Sequence, residues 1–321
     1  MPQAQHLRGQ SKQQYFTPVA ACSNGDLVKL PDGKAGVAAT DIAAGVQGAF
    51  WVDGVYKVTK HTAGALLLGG DVFWDVSASH AQHAPDLAST DYRIGITVDQ
   101  DEPAADTTVN VDLNEHTVYN IELGGPDGGD WIAEELAAGV AGSVNAIPGG
   151  ASIVITADNE VQSNCLRSVR TVLVSSKPIF ECRMRRSATT DAANDVDFGL
   201  ATGGHASDFE TVADFAAFHM DGDDLNIDTH SDDGTTDRAP ADSTIDHVEA
   251  TFAEYWIDAR DDTNVKFYVD GVLVDTSATK RILTAALARA VAAVVMIEKT
   301  TGTSVGGCQI QKLRVRCTSV E

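Results

Sequence analysis

Short apolar runs separated by glycine and aspartate dominate residues 25–114. TVNVDL, residues 108–113, has an apolar residue at every second position, and so does YRIGIT, residues 92–97. An apolar period of two is typical of β-strands with one buried face, and the interspersed glycines weaken any helix. This segment is therefore predicted to be a small antiparallel β-barrel or sandwich. Elsewhere, residues 131–140 allow one or two helical turns at most, limited by Gly139 and Gly142, and residues 283–291 are the one plausible helical insert.

The order of these runs resembles one protein family. The most specific stretches are GVAATDIAAGVQGAFWVDGVYKVTK, residues 36–60, and GGDVFWDVSA, residues 69–78. They resemble phage capsid cement or decoration proteins, small β proteins that are often mislabelled as RecA/RadA-like recombinases. The chain lacks the G-x-x-x-x-G-K-[ST] phosphate loop of a nucleotide-dependent recombinase, so the recombinase interpretation is rejected. The resemblance covers about residues 20–114 and implies a non-enzymatic role on a capsid.

Length and loop composition predict two domains. A chain of 321 residues can bury two substantial cores, and the glycine-rich stretch GGPDGG marks a seam between them. We place an extended N-terminal arm at residues 1–24, a capsid-binding β module at 25–114, a linker at 115–130 and the second domain at 131–321.

The predicted arm is polar, rich in glutamine and without an apolar period. We expect it to be mobile in the free protein and to become ordered on the capsid, where its main chain can pair with a sheet edge. Its candidate capsid contacts are Arg8, Lys12, Tyr15 and Phe16. A frayed terminus without a binding role is the alternative.

Two Asp-Gly dipeptides predict tight hairpin turns, at Asp53–Gly54 and at Asp270–Gly271. Asp-Gly supplies the positive φ angles that a primed hairpin turn needs. The second dipeptide lies in VKFYVDGVLVDT, residues 265–276, upstream of AVVMIEKTTGTSVGGCQIQKLRVRC. This region resembles the concanavalin A-like, or laminin-G-like, jelly-roll sandwich, over about residues 119–321. The whole chain is therefore predicted to be all-β.

The formal net charge is −23, and most of it comes from an acidic block at residues 191–263. This block contains 20 Asp and Glu residues and only two basic residues, Arg238 and Arg260. Such a field repels nucleic acid backbones, so no nucleic acid partner is expected. The block is interpreted as a solvated outer face, and three of its histidines, His205, His219 and His230, as exposed loop residues.

Calcium is the alternative interpretation of the acidic block. The candidate ligands are Asp221, Asp223, Asp224 and Asp228, but their spacing does not fit an EF-hand loop. We therefore predict no metal and no other cofactor.

The sequence offers no catalytic pattern, and we expect the protein not to be an enzyme. A glycosidase of this fold needs carboxylates at alternate strand positions, whereas the nearest candidates, Glu254 and Asp258, are four residues apart. No G-x-S-x-G nucleophile elbow is present. Tyr255 or Trp256 can stack on a sugar, so a glycan-binding adhesin remains as an alternative, with a polysaccharide hydrolase behind it.

Together these resemblances imply a structural virion protein. It would bind the major capsid protein, stabilise the head by bridging capsid subunits, and carry a lectin-like domain that projects outward. The family resemblance also implies a homotrimer. Because no apolar run approaches the ~20 residues of a membrane span, no membrane partner is expected. The first 20 residues lack the apolar core of a signal peptide. We expect synthesis in the host cytoplasm and a location on the outer capsid surface.

Overall fold

The computed structural model describes residues 3–9, 12–85, 90–117, 119–123, 131–137, 142–187, 193–274, 282, 290–303 and 305–318. The chain divides into two compact units, Met1–Val118 (unit 1) and Tyr119–Glu321 (unit 2). This boundary falls within the segment that we assigned as a linker, whose residues 124–130 lie outside the described residues. Most of the predicted helix at 283–291 also lies outside them.

The described part of unit 1 contains ten strands: β1 (Ala4–Arg8), β2 (Gln13–Phe16), β3 (Leu27–Lys29), β4 (Ala35–Ala38), β5 (Gly48–Trp51), β6 (Val55–Thr59), β7 (Asp71–Asp75), β8 (His80–Gln82), β9 (Tyr92–Thr97) and β10 (Thr108–Leu113). They form a six-stranded sheet in the order β1-β6-β10-β9-β7-β8 and a four-stranded sheet in the order β2-β5-β4-β3. All these pairings are antiparallel.

The core of unit 1 is built from the alternation seen in the sequence. Val109, Val111 and Leu113 of β10 are fully buried, and they share one apolar cluster with Leu27 and Val37 of the four-stranded sheet. The two sheets therefore enclose a common core. This confirms the predicted all-β character of unit 1.

The N-terminal segment is part of unit 1, and this corrects the prediction of a separate arm at residues 1–24. Strand β1 pairs with β6 in a register that sets Ala4 opposite Val58, and Ala4 is buried. Strand β2 pairs with β5, with Gln14 opposite Phe50. The sequence misled us because this order comes from main-chain pairing with distant strands, which needs no local apolar period.

The Asp53–Gly54 turn also differs from the prediction. The strands that flank it, β5 and β6, lie in different sheets, so the turn carries the chain from one sheet to the other and forms no hairpin. Gly54 has a positive φ of 99°, whereas Asp53 does not. A primed hairpin turn of the Asp-Gly type needs a positive φ at both residues. The dipeptide marked a turn correctly but could not specify which strands pair.

The described part of unit 2 contains sixteen strands: β11 (Ile121–Glu122), β12 (Trp131–Glu135), β13 (Ser143–Ile147), β14 (Gly150–Val154), β15 (Gln162–Ser168), β16 (Val172–Leu173), β17 (Pro178–Arg186), β18 (Asn194–Ala201), β19 (Phe215–Met220), β20 (Asn226–Asp232), β21 (Asp237–Asp246), β22 (Ala253–Asp258), β23 (Lys266–Val269), β24 (Val272–Leu273), β25 (Ala290–Lys299) and β26 (Gly307–Cys317). Its described helices are two short 3₁₀ helices, Val174–Ser176 and Phe209–Thr211. No helix in the described part of the chain is long and apolar enough to cross a membrane.

Unit 2 is a β-sandwich of two eight-stranded sheets. Sheet I has the order β13-β14-β26-β17-β22-β23-β24, with β11 beside β26. Sheet II has the order β12-β15-β25-β18-β19-β20-β21, with β16 beside β25. One large apolar cluster joins residues of both sheets, for example Phe180 and Phe267 of sheet I with Phe198 and Phe218 of sheet II. The predicted sandwich is therefore present.

Strand β25 shows that sheet II is buried on both faces. Val291, Ala293, Val295 and Ile297 face the central core, whereas Val294 and its even-numbered neighbours belong to a second, smaller apolar cluster. That cluster includes Phe209 and Val212, which follow β18 in a connecting segment. The outer face of sheet II thus has a cover of its own.

Two further segments of unit 2 bear on the predictions. Asp270 and Gly271 both have positive φ, 48° and 76°, and they join the paired strands β23 and β24, which is the geometry of a primed hairpin turn. Residues 131–135, by contrast, form strand β12 and not the helix we predicted. Pairing with β15 fixes this short segment as a strand, which overrides its local helix preference.

Candidate functional site

The predicted capsid contacts occupy strands β1 and β2 and the link between them. Arg8 is largely exposed, and its guanidinium donates a hydrogen bond of 3.0 Å to the Asp99 carboxylate. Lys12 is exposed, with Nζ 3.8 Å from the Asp53 carboxylate. Tyr15 is 66% exposed on β2. Phe16 is half-buried against Phe50, with ring centroids 5.9 Å apart, so it belongs to the core of unit 1 more than to its surface.

Strand β2 presents an open edge beside exposed apolar side chains. It is the terminal strand of the four-stranded sheet in the described part of unit 1. Val19 is 97% exposed, and Val46 is also exposed in a loop held to the same region by a Gly45 N–H to Pro18 carbonyl bond of 2.9 Å. We call Tyr15, Val19 and Val46 the β2 edge surface. Open edges with apolar side chains are typical sites for binding another protein.

A second candidate site lies on the outer face of sheet II, where three neighbouring strands bring titratable side chains together. Strands β18 and β19 pair so that Asp197 stands opposite His219. Strand β20 pairs with β19 and places His230 opposite Ala217, two residues along from His219. We call Asp197, His219 and His230 the Asp–His cluster.

The Asp–His cluster is compact and buried. Asp197 Oδ1 lies 2.9 Å from His219 Nδ1 and 3.2 Å from His230 Nε2. The side chains of Asp197 and His230 are each 1% exposed, and that of His219 is 14% exposed. The other ring nitrogen of His230, Nδ1, lies 4.0 Å from the Glu210 carboxylate. The cluster is therefore reached from solvent on the side of His219.

The 3₁₀ helix Phe209–Thr211 covers the cluster. The ring of His230 packs against Phe209 and Phe215, with centroid separations of 5.8 and 4.6 Å. The main-chain N–H of Phe209 donates a 3.0 Å hydrogen bond to the Glu298 carboxylate of β25. The Asp208 side chain accepts the N–H of Glu210 at 2.9 Å and so caps the helix.

Buried charges set unusual pKa values around the cluster. Burial opposes the charge of Asp197, yet His219 and His230 hold its pKa at about 2. Burial likewise opposes the charge of His219, yet Asp197 raises its pKa to about 10. Burial raises the pKa of Asp195 to about 7, and burial together with Asp197 and Asp195 raises the pKa of Glu298 to about 9. Burial therefore favours the neutral forms of Asp195 and Glu298, whereas Asp197 and His219 form a buried charged pair.

These positions correct our interpretation of the acidic block. His219 and His230 lie on strands and are largely or fully buried, whereas we expected exposed loop histidines. Several acidic residues of the block are also buried, namely Asp197, Asp214, Asp233, Glu254 and Asp258. The available signal was the alternation of polar with core residues in NDVDF and AAFHM, which we overlooked because the overall acidity suggested solvent.

The four calcium candidates do not converge. Asp221 lies close enough to Asp195 and His219 for the three to share one ion, whereas Asp223, Asp224 and Asp228 join no such group among the described residues. Asp224 instead accepts the main-chain N–H of Asn226 at 2.7 Å, a local turn contact. The structure thus brings one of the four into a potential metal group.

The hydrolase candidates are also placed unfavourably. Glu254 and Asp258 are four residues apart on β22, which separates them by roughly 13 Å, against the roughly 5 to 10 Å that glycosidase carboxyl pairs need. Glu254 pairs with Arg183 at 3.3 Å, and Asp258 pairs with Arg260 at 2.6 Å. The proposed sugar-stacking residues, Tyr255 and Trp256, are buried.

Comparison with known protein families finds a match in unit 1. Residues 7–113 match the family model described as phage cement protein. The match covers about a third of the chain and nearly all of unit 1. The match runs from β1 to the end of β10, and it confirms the resemblance drawn from the two stretches at residues 36–60 and 69–78. No curated protein matches the chain.

Solved structures to which the chain is similar include a carbohydrate recognition domain and two carbohydrate-active enzymes. The carbohydrate recognition domain of Emp46p in its metal-free form is 12% identical, with a TM-score of 0.41, over 60% of this chain and 89% of that chain. An alginate lyase from Corynebacterium sp. is 15% identical, with a TM-score of 0.39, over 59% of this chain and 95% of that one. A β-1,3-glucanase from Mycobacterium marinum is 11% identical, with a TM-score of 0.39, over 62% of this chain and 99% of that chain. At these scores the assignment of unit 2 as a sandwich rests on its own two sheets.

Proposed function

We propose that this protein is a capsid cement protein whose unit 1 binds the outer surface of a phage head and bridges neighbouring major capsid subunits. The observation that carries this proposal is the cement-family match, which spans nearly all of unit 1. The function is mechanical. Each copy buries main-chain and apolar surface across a subunit boundary, so the pressure of packed DNA must break those contacts before the subunits separate.

The binding surface that we propose is the N-terminal edge of unit 1. Strand β1 ends the six-stranded sheet and β2 ends the four-stranded sheet, so each offers main-chain groups to a strand of another chain. The β2 edge surface adds apolar side chains beside that edge. Arg8 and Lys12 add positive charge in an otherwise acidic protein. Tyr15 and Val19 are the residues we expect to contribute most.

We further propose that the bound protein is a homotrimer and that unit 2 faces away from the shell. A closed trimer fits the threefold symmetry of positions on a capsid lattice. Unit 2 contains the acidic block, and burying unpaired charges against the shell would cost several kcal/mol per ion. Outward-facing acidic surfaces also repel one another, which keeps crowded particles soluble.

We also propose that the protein is not an enzyme, and that glycan binding by unit 2 is the less supported function. The separation of Glu254 and Asp258 argues against hydrolysis by that pair. The burial of Tyr255 and Trp256 removes the aromatic platform on which our glycan hypothesis depended. A glycan array probed with the full-length chain tests the alternative directly.

The test uses particles that lack the protein, mixed with full-length chain or its variants. We compare the Tyr15→Ser/Val19→Ser double variant with Val248→Ser, which changes an exposed valine of unit 2. Occupancy is measured by gel densitometry of pelleted particles, and head stability by the temperature at which DNA is released. Wild type and Val248→Ser should bind and raise that temperature, whereas the double variant should bind at least tenfold more weakly. Binding by none of the chains, or by the double variant as well as by wild type, would contradict the proposed surface.

A further inference from the structure

The Asp–His cluster has the composition and spacing of a metal site that uses nitrogen and oxygen ligands. Zinc and related ions bind imidazole nitrogen and carboxylate oxygen at about 2.0 to 2.2 Å. Two ligand atoms of one such ion then lie roughly 3 to 3.5 Å apart. Asp197 Oδ1 lies 2.9 Å from His219 Nδ1 and 3.2 Å from His230 Nε2. All three ligand atoms fall within 4.8 Å of one another.

We propose that Asp197, His219 and His230 bind one divalent transition-metal ion of the zinc type in unit 2. The ligands come from three adjacent strands, β18, β19 and β20, so the sheet itself fixes their separation. Ligand positions on paired strands are more precise than positions on loops. Asp221, in the loop between β19 and β20, adjoins the site through His219 but is not among the proposed ligands.

His230 provides an independent observation that points to a ligand. It is 1% exposed, and its Nε2 makes no well-aligned hydrogen bond with any residue in the described part of the chain, although Asp197 is only 3.2 Å away. A buried ring nitrogen without such a bond is costly. Coordination of a metal ion by Nε2 satisfies it, and Glu210 lies on the side of the other ring nitrogen, as expected for an outer partner of a metal-binding histidine.

The groups around the cluster are also suited to a cation. Asp195 lies close enough to His219 and Asp221 for these three to share one ion, so a further carboxyl group adjoins the cluster. The nearby buried Arg186 donates hydrogen bonds to main-chain carbonyls, including that of Met220 at 2.8 Å.

The surroundings indicate a structural role for the ion. Phe209 and Phe215 pack against the His230 ring and shield the site from water. The short helix that carries Phe209 lies over the cluster, so an ion bound beneath it ties this segment to sheet II. We therefore expect the metal to raise the thermal stability of unit 2 and to leave capsid binding by unit 1 unchanged.

The test uses full-length chain that has been treated with a chelator and dialysed into metal-free buffer. Calorimetric titration with ZnCl₂ should show one ion bound per chain with micromolar or tighter affinity. Titration with CoCl₂ should give the visible absorption bands of nitrogen-ligated Co²⁺. Saturating zinc should raise the melting temperature of unit 2 by several degrees, whereas CaCl₂ should not. Absence of zinc binding by the wild-type chain would overturn the proposal.

Variants locate the site. His230→Gln and Asp197→Asn should each lower zinc affinity at least a hundredfold and abolish the cobalt bands. Asp221→Asn is the control for the neighbouring group that Asp221 forms with Asp195 and His219. His116→Gln is the control for an exposed histidine of unit 1. Both control variants should bind zinc like wild type. Retained binding in His230→Gln, or loss of binding only in Asp221→Asn, would contradict the assignment. If a variant fails to fold by circular dichroism, the wild-type cobalt spectrum decides, because bands without imidazole character exclude the cluster.

Discussion

Unit 1 and unit 2 are both antiparallel β structures, but the candidate functional residues that we singled out lie at the surface of one and in the interior of the other. In unit 1 the charged residues that we singled out lie at the surface, as Arg8 and Asp99 do. In unit 2 a comparable group, the Asp–His cluster, is buried beneath an apolar cover. The difference arises because apolar residues cover both faces of sheet II, so that polar side chains on its outer face become enclosed.

This comparison separates two kinds of function. An open edge with exposed apolar and basic side chains suits binding to another protein, and unit 1 has one. A closed set of imidazole and carboxylate groups suits binding of a small ion, and unit 2 has one. The units should therefore respond to different perturbations, and a variant in one should leave the other intact.

The largest loss of stability is expected when valine replaces either of two glycines within strands. A Cβ at Gly95 of β9 would lie 2.0 Å from the Asp112 carbonyl oxygen, and one at Gly199 of β18 would lie 2.2 Å from the Ala216 carbonyl oxygen. Valine at either position must displace a paired strand, which should cost about 3 kcal/mol or more. In calorimetry, Gly95→Val should remove the transition of unit 1 alone, and Gly199→Val that of unit 2 alone. Joint loss of both transitions would show that the units fold as one.

A smaller effect is expected at the β23–β24 turn. Gly271 has a φ of 76°, which costs any other L-residue about 1 kcal/mol. Gly271→Ala should therefore lower the melting temperature of unit 2 by a few degrees. Gly203→Ala is the matched control, because a Cβ there would meet no atom within 4 Å. Equal melting temperatures for the two variants would mean that the turn does not hold its positive φ in solution.

Buried tyrosines give the units separate responses to alkaline pH. Burial raises the pKa of Tyr92 in unit 1, so its neutral hydroxyl is favoured in the folded state. The resulting stability is complete below the unfolded value of about 10 and is lost as the pH rises above it. Tyr92→Phe should therefore reduce the loss of stability of unit 1 at alkaline pH. In unit 2 burial also raises the pKa of Tyr255, so the loss of stability of unit 2 at alkaline pH should be unchanged in this variant. Melting curves of wild type and variant between about pH 8 and 11, a range that includes the pKa of an unfolded tyrosine, would detect this difference. The same loss of stability of unit 1 in the variant as in wild type would contradict the prediction.

The smallest effect on stability is expected at Arg8. Its ion pair with Asp99 is exposed, and exposed pairs contribute little to folding. Arg8→Gln should leave the melting temperature of unit 1 unchanged while weakening attachment to particles. A clear drop in melting temperature would assign Arg8 a folding role, and unchanged attachment would remove it from the capsid surface.

The sequence predicted local features of the fold well and its long-range pairing poorly. Alternation identified β9 and β10, and the Asp270–Gly271 dipeptide identified a real hairpin. Asp53–Gly54 carries the same two residues, yet its neighbouring strands enter different sheets. A dipeptide constrains its own backbone, whereas the choice of partner depends on burial across the whole unit.

The candidate sites show the same limit. Arg8, Lys12 and Tyr15 could be chosen from composition because they lie near one another in the chain. His219 and His230 meet Asp197 only through the pairing of β18, β19 and β20, and no local spacing connects them. Strong acidity then suggested a solvated face, because charge alone does not reveal which strand face will be covered.

A cryo-EM map of DNA-filled particles decorated with full-length chain would show whether unit 1 bridges capsid subunits. We expect density for the two sheets of unit 1 across boundaries between major capsid subunits, with β1 and β2 at the contact. We also expect unit 2 to make no contact with the shell. A map in which unit 2 contacts the shell, or in which the chain sits within a single capsid subunit without spanning a boundary, would contradict these expectations.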